Sequence, residues 1–438
     1  MIYADWLGSN TEWFKYEYQR DIGLADYWHQ IAKPRAALAV AASRSAPIPI
    51  ANIDPRTAVG LERFPVRPAQ QLALDLPLPA GPQCLVIEDA TGSGKTEAAL
   101  ILALRLMQNA AANGLYFALP TMATANGLLP RLLAIAERFF VQPEFAAIAL
   151  VHGGAQWVEG FGKQSKFAPQ ENDDGALTAS LRASSWINDH RKRALIAQIG
   201  VGTVDQALLA ILKTKHNAVR LFGLFGKALI IDEVHAYDAY QFKLIKALLA
   251  AHRAQGGSAI LLSATLPQKQ RVELLGVYQP QLQDQDDAEP AQERAPYPLL
   301  SHASSNAFEA HALTQIPGLL KHYRVRYLCD VAAIVQLIID TARRGQCVAW
   351  IRNTVADAMA AFKLVQAAIA AQTADAPIQI TLFHARFTFS DRIRIENEVL
   401  ARFGKAADAS KRRGQIVIAT QVIEQSLDLD FDELNITT

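Results

Sequence analysis

Cysteine is scarce: the 438 residues hold three, Cys84, Cys329 and Cys347, each alone and none at the spacing of a metal-ligand pair. That excludes a disulfide framework and a thiolate zinc site, and it fits a reducing, cytoplasmic compartment. An excess of charge of one sign is lacking too. Lys and Arg number 43 against 42 Asp and Glu, a net charge of +1, so bulk charge does not mark a nucleic-acid binder. Any such site has to be a local one, built of backbone amides and a few side chains. No run is apolar enough for a bilayer: Leu106 to Pro130 is free of charge, but Asn, Gln, Thr, Gly and Pro interrupt it. The opening MIYADWLGSN has neither the basic head nor the apolar run of a signal peptide. What remains is 51% apolar and 19% charged, globular and too long for one ordinary core, which predicts two domains.

Against this background two segments stand out. ATGSGKTEAAL, from Ala90 to Leu100, follows the apolar strand CLVIE and opens a helical run. Gly92 and Gly94 let the backbone turn tightly and aim N–H groups at phosphates, with Thr91 and Ser93 between and beside them. Lys95 is placed to reach the β and γ phosphates of ATP, and Thr96 to offer a hydroxyl to Mg²⁺. Asp89 stands where the P-loop pattern usually has Gly. Far downstream, the apolar run Ala228 to Ile231 reads as a buried parallel strand ending in adjacent carboxylates. Asp232 is the candidate for the Mg²⁺ shell and Glu233 for orienting or deprotonating the attacking water. ATP and Mg²⁺ are therefore the expected cofactors, with Lys95, Asp232 and Glu233 as the catalytic set.

Residues 1–60 read as a connector, broken by APIPIANIDP. Over 61–278 short β-like runs alternate with helical stretches, the pattern of a doubly wound parallel sheet. Residues 279–298 are acidic, Gln-rich and Pro-interrupted, a solvated linker or loop. A second alternation over 299–438 begins with YRVRYL, and Gly162 to Gly175 reads as a polar surface insertion. The expected fold class is α/β with two parallel sheets.

Several further segments resemble, in one order, the motifs of superfamily 2 helicases, whose two RecA-like P-loop domains clamp ATP and a strand. They are FPVRPAQ (Phe64 to Gln70), LPTMATAN, VGTVDQALLA, DEVHAYD, SATLP, WIRNTV, FHARF and ATQVIEQSLDLDFD (Ala419 to Asp432). More narrowly, the chain resembles the CRISPR-associated helicase-nucleases of type I interference systems, enzymes recruited to Cascade-bound DNA, over nearly its whole length. The resemblance implies an ATP-driven translocase on single-stranded DNA, with a Cascade-type complex as partner. It makes Gln70 the adenine reader, Asp428 the acid approaching the nucleotide from the second domain, and Ser263 and Thr265 the link between ATP and strand. Small residues at strand ends, namely Thr121, Gly202, Thr203, Thr354 and Thr420, suit close approach to phosphates without reading bases, and Arg352 and Asn353 add polar contacts. His152 and His384 are read first as satisfied buried histidines and second as strand contacts.

Two departures set further expectations. The family carries an HD nuclease domain, whereas no His-Asp dipeptide occurs here and only ADWLGS resembles that domain, with Asp5 and Ser9 at its last metal-site positions. One carboxylate does not hold a catalytic metal, so nuclease activity is not expected of this sequence. The family's Gln-x-x-Gly-Arg-x-x-Arg helix has no counterpart before Thr438, so the second domain reads as incomplete and ATP turnover as impaired, an arginine finger being worth about 10³ to 10⁵ in rate. A general superfamily 2 helicase and a non-catalytic ATP-binding fragment stand as the alternatives.

Overall fold

The computed structural model describes residues 2–16, 18, 21–43, 47–143, 146–151, 194–214, 217–282, 296–317, 325–371, 378–404, 410–423 and 429–436. The chain divides into two units, Met1–Lys321 and His322–Thr438.

The first unit is built on an eight-stranded sheet: β1 (Gln83–Glu88), β2 (Gly114–Leu119), β3 (Ile148–Val151), β4 (Ile199–Thr203), β5 (Lys227–Ile231), β6 (Ala259–Ser263), β7 (Leu299–Ser304) and β8 (Phe308–Ala312). Their spatial order is β3-β4-β2-β5-β6-β1-β7-β8. The pairs between β3 and β1 are parallel, and β7 and β8 are antiparallel additions at one edge. Strands β1 to β6 are buried along their whole length, which is why they read as unbroken apolar runs. One face is covered by the Lys95–Gln108 and Met122–Phe139 helices, packed with Leu85, Ile87, Phe117 and Ile230. The other face packs Val86, Tyr116, Leu229 and Leu261 against the Ala239–Ala254 helix.

This architecture moves two sequence-based boundaries. Residues 299–312 were assigned to the second domain, but β7 pairs antiparallel with β1 along all six of its residues, and the division falls between Lys321 and His322. A βαβ alternation does not announce a strand that returns without a crossover helix. YRVRYL does not open the second sheet: residues 325–330 form no strand, and Tyr327 is 93% exposed. Residues 1–60 are no mere connector. Leu7 is buried in the first unit with Tyr3, Trp6 and Trp13 against it, and Ile48, Ile50 and Ile53 pack on the opposite cluster. The segment 162–175 lies outside the described residues, as do residues 283–295 of the expected linker.

The second unit is a four-stranded parallel sheet of β9 (Val348–Ile351), β10 (Gln379–Phe383), β11 (Gln415–Ala419) and β12 (Glu433–Ile436), in the order β10-β11-β9-β12. The Val331–Arg343 and Val355–Ala370 helices pack on Val348, Trp350, Ile416 and Ile418, and the Phe389–Phe403 helix packs on the other face through Ile395, Val399 and Phe403. Both sheets are thus α/β, and the loops at the carboxyl ends of their strands carry the candidate residues, where open parallel sheets place ligands.

Candidate nucleotide site and strand-contact edges

The order β5-β6-β1 sets three strand ends side by side: Asp232-Glu233 after β5, Ser263 to Thr265 after β6, and the Gly-rich loop after β1. Gly92 and Gly94 sit at φ 82° and 94°, the left-handed region that a side chain disfavours. A Cβ on Gly94 would lie 2.3 Å from Gln70 Nε2, so the loop is closed in as well as bent. Lys95, buried at the helix start, donates from Nζ to the carbonyls of Asp89 (2.6 Å) and Ala90 (3.0 Å). Ser93 Oγ is buried with no hydrogen-bond partner. The Asp89 carboxylate, standing in for the usual Gly, accepts from Ala90 N at 2.7 Å and so braces the turn.

Gln70 was expected to read adenine. In this structure both ends of its buried amide serve the protein: Oε1 accepts from Arg67 N (3.0 Å) and Nε2 approaches Gly94 O (3.4 Å). Arg67 is a residue the sequence reading passed over. Its guanidinium donates to the carbonyl of Gly92, so the FPVRPAQ segment grips the loop twice.

Asp232 is half-buried, and its Oδ1 accepts from Glu233 N at 2.9 Å. Burial first and the adjacent Glu233 charge second push its carboxyl up to about 7, opposed by that N–H and by the charge of Lys95. A desolvated carboxylate beside a second acid is a site that a cation completes, so Asp232 with the Thr96 hydroxyl fits Mg²⁺ held with ATP. Glu233 adopts φ 50°, ψ 47°, a left-handed backbone costly for a side-chain-bearing residue and typical of functional positions. Its buried Oε2 has no hydrogen-bond partner, although His235 Nδ1 lies 3.3 Å away at poor hydrogen-bonding geometry.

His235 is the other residue that sequence reasoning missed. Its Nδ1 lies 3.1 Å from Ser263 Oγ, and Ser263 Oγ donates its own proton to Thr265 O at 2.8 Å. The same Nδ1 lies 3.4 Å from Ala264 N, so the ring sits between the Ser263 hydroxyl and the backbone of the SATLP turn. The signal was its place within DEVHAYD, two residues beyond Glu233.

At the same edge, Thr121 follows β2 and Thr203 ends β4, in register with Leu119. Thr121 Oγ1 accepts from Thr124 N (3.3 Å), capping the following helix. Tyr116 OH donates to Thr203 O at 3.2 Å. Gly202 was read as admitting phosphate, and here its missing side chain admits protein: a Cβ would stand 2.2 Å from Val151 O and 2.7 Å from Tyr116 OH. Tyr237, whose OH donates to Asp232 O (3.0 Å), also went unnoticed; burial raises its phenol pKa well above the ordinary value.

In the second unit, Arg352 to Thr354 follow β9, His384 follows β10 and Thr420 follows β11, on neighbouring strands. Arg352 N bonds Ala419 O (2.8 Å) and Thr420 N bonds Phe383 O (3.2 Å), which locks the three ends together. Arg352 lies over the Trp350 ring at 5.2 Å, with Nε and one terminal nitrogen buried and unpartnered. Asn353 Oδ1 is 3.5 Å from Gln421 Nε2, and the Thr354 hydroxyl is spent on capping, donating to Asp357 Oδ2 at 2.7 Å. His384 is buried and stacked on Phe387 at 4.2 Å, in line with the packed-histidine reading. His152 and Asp428 lie outside the described residues.

Comparison with known proteins agrees with this geometry. The family described as "CRISPR-associated nuclease/helicase Cas3, C-terminal" matches residues 344–437. The Cas3 endonuclease/helicase of Escherichia coli K12 is 37% identical over 84% of this chain and 40% of its own. That of Thermus thermophilus is 34% identical over 99% of this chain and 49% of its own. The crystal structure of T. fusca Cas3 superposes with a TM-score of 0.80 at 29% identity, covering 99% of this chain and 49% of that one, and its AMPPNP complex gives 0.79. A CRISPR RNA-guided surveillance complex, pre-nicking, matches with a TM-score of 0.66 at 26% identity, covering 99% of this chain and 46% of that one. The chain spans 40–49% of the length of these two curated relatives. By sequence and by structure, it belongs to the CRISPR-associated Cas3 nuclease/helicase family.

Proposed function

We propose that this chain is an ATP-driven translocase on single-stranded DNA, working in CRISPR interference in the cytoplasm beside a Cascade-type complex. The observation that carries the reading is the convergence of a closed Gly-rich loop, a half-buried Asp232 whose carboxyl is pushed up by desolvation and by Glu233, and a backbone-strained Glu233 at adjacent strand ends of one sheet. ATP would lie with its phosphates on the N–H groups of residues 91–96, and Lys95 would turn from the loop carbonyls to the β and γ phosphates. Thr96 and Asp232 would hold Mg²⁺, which supplies charge neutralisation of the phosphates. Glu233 would accept a hydrogen bond from the attacking water and orient it, and its unpartnered Oε2 has room for that bond. Loss of the γ-phosphate would reach Ser263 and Thr265 through His235.

The strand would pass the carboxyl-end edges of the sheets, with Thr121, Gly202 and Thr203 contributing from the first and Arg352, Asn353, Thr354 and Thr420 from the second. Because Thr203 and Thr420 are largely buried, Gly202 is packed against Val151 and Tyr116, and the Thr354 hydroxyl caps its helix, these four would contribute backbone atoms only. Arg352 is the strongest contributor on this reading, since phosphate oxygens would satisfy its buried, unpartnered nitrogens. The deciding experiment compares ATP turnover alone, with single-stranded DNA, with duplex DNA and with RNA of the same sequence. Single-stranded DNA should stimulate most; stimulation by RNA alone, or by none of the three, would overturn the proposal.

A further inference from the structure

Glu88, the last residue of β1, leads directly into the Gly-rich loop and stands in register with Ser263 of β6. Its carboxylate is almost wholly buried, at 4% side-chain exposure. Oε2 takes Arg271 Nη1 at 2.7 Å, from a guanidinium that is itself only 11% exposed, and Oε1 accepts from Leu266 N at 3.2 Å. Arg271 lies on the Gln268–Leu275 helix that follows SATLP, and that helix is tied in turn to the Ala239–Ala254 helix by Lys246 and Glu273 at 2.7 Å. One carboxylate therefore touches the root of the nucleotide loop, the far end of the SATLP turn and the helix beyond it.

Stability alone is a poor account of this arrangement. A buried ion pair gains little over apolar side chains of the same volume, and β1 and β6 are already joined by their ladder. What Glu88 adds is a further anchor for a turn held otherwise at Ser263, at His235 and by the packing of Leu266. Thr265 is exposed at the tip of that turn, between buried Ser263 and buried Leu266. With Leu266 N and Arg271 both held by Glu88, and Arg271 carried on the helix that follows the turn, a displacement of the loop root at Asp89 moves Thr265 between them only while the ion pair holds that helix to Glu88.

We propose that Glu88 and Arg271 are positioning residues that couple the nucleotide state of the Gly-rich loop to the SATLP turn. The inference rests on the proposed function for its strand, but not for its mechanical content. Their role is to hold the loop root, the turn and the helix beyond it together.

The test uses the whole chain with Arg271→Ala, Arg271→Lys and Glu88→Gln and two readouts. The first is the ratio of ATP turnover with single-stranded DNA to turnover without it. Arg271→Ala should lower that ratio at least about fivefold, the low end of measured coupling between sites. Its KM for ATP and its DNA-free turnover should stay within about twofold of wild type, a change too small to count as coupling. Arg271→Lys should restore most of the ratio, since an ammonium still donates to Glu88. The second readout is hydrogen exchange at the amides of Leu266 to Arg271 with and without AMPPNP. In wild type the nucleotide should change their protection, and in Arg271→Ala it should not.

A wild-type ratio and a wild-type exchange response in Arg271→Ala would overturn the proposal. If Arg271→Ala fails to fold, the same two measurements on Glu88→Gln decide, because the amide oxygen keeps the Leu266 bond while the ion pair is lost. Parallel loss of DNA-free and DNA-stimulated turnover would mean a merely structural tie. If wild type itself shows no DNA stimulation, the strand reading fails, and the exchange experiment alone judges the pair.

Discussion

His235 Nδ1 lies 3.1 Å from Ser263 Oγ and 3.3 Å from Glu233 Oε2, so one imidazole nitrogen stands between the acid at the end of β5 and the first residue of SATLP. A ring placed between two strand ends, bonded to one and beside the other, can report the state of one to the other. His235→Ala should therefore keep ATP affinity and lower DNA-stimulated turnover about tenfold, the rate equivalent of a single hydrogen bond. Steady-state kinetics with and without single-stranded DNA check it. Unchanged stimulation would remove His235 from the link.

Lys95→Ala should weaken ATP binding at least about tenfold, because a charge-assisted hydrogen bond to phosphate is lost. Fluorescence anisotropy of a labelled nucleotide measures this directly. An affinity equal to wild type would show that Lys95 stays on the carbonyls of Asp89 and Ala90 when nucleotide is bound.

Glu233→Gln should bind ATP and Mg²⁺ as wild type does and lose hydrolysis by about 10² to 10⁴, the usual contribution of a general base. Asp232 is left intact for the metal in this variant. Turnover matching the parent would reassign the water to another group.

Lys227 begins β5 buried in the sheet, its Nζ donating to Leu195 O, and burial lowers its pKa from 10.5 to about 7. Between about pH 7 and 10.5 the unfolded chain holds a proton that the folded chain lacks, so this group makes stability rise with pH across that window. Below pH 7 both states carry the proton and the burial penalty is full. Lys227→Met should therefore unfold at higher temperature than wild type near pH 6, with a gain that shrinks towards pH 10. A gain that stays constant with pH would show that the lysine is not the titrating group.

The sequence disclosed what is local and stayed silent on what is not. Gly92, Gly94, Lys95 and the Asp232-Glu233 pair were legible because a strand, a turn and a helix start sit within a dozen residues of one another. The strand ends of both sheets were legible for the same reason. β7 escaped notice because its partner, β1, lies over two hundred residues upstream and runs the other way. Arg67, His235 and Tyr116 act on Gly92, Ser263 and Thr203, which are 25, 28 and 87 residues away, and no local pattern records such pairs. Gly202 and Thr354 teach the converse. Their residue types suited phosphate contact, yet the space at one is taken by Tyr116 and Val151, and the hydroxyl of the other by Asp357.

The ammonium of Lys95 already has two oxygen ligands inside its own loop, Asp89 O and Ala90 O. On the proposed reading, nucleotide binding at this loop is a ligand exchange rather than an addition: phosphate oxygens would displace carbonyl oxygens from one cation. Because those carbonyls belong to the loop itself, they would be placed to reclaim the lysine once the γ-phosphate is gone. A loop of this kind carries its own competitor, present at fixed effective concentration, and it sets a floor under the rate at which spent nucleotide departs.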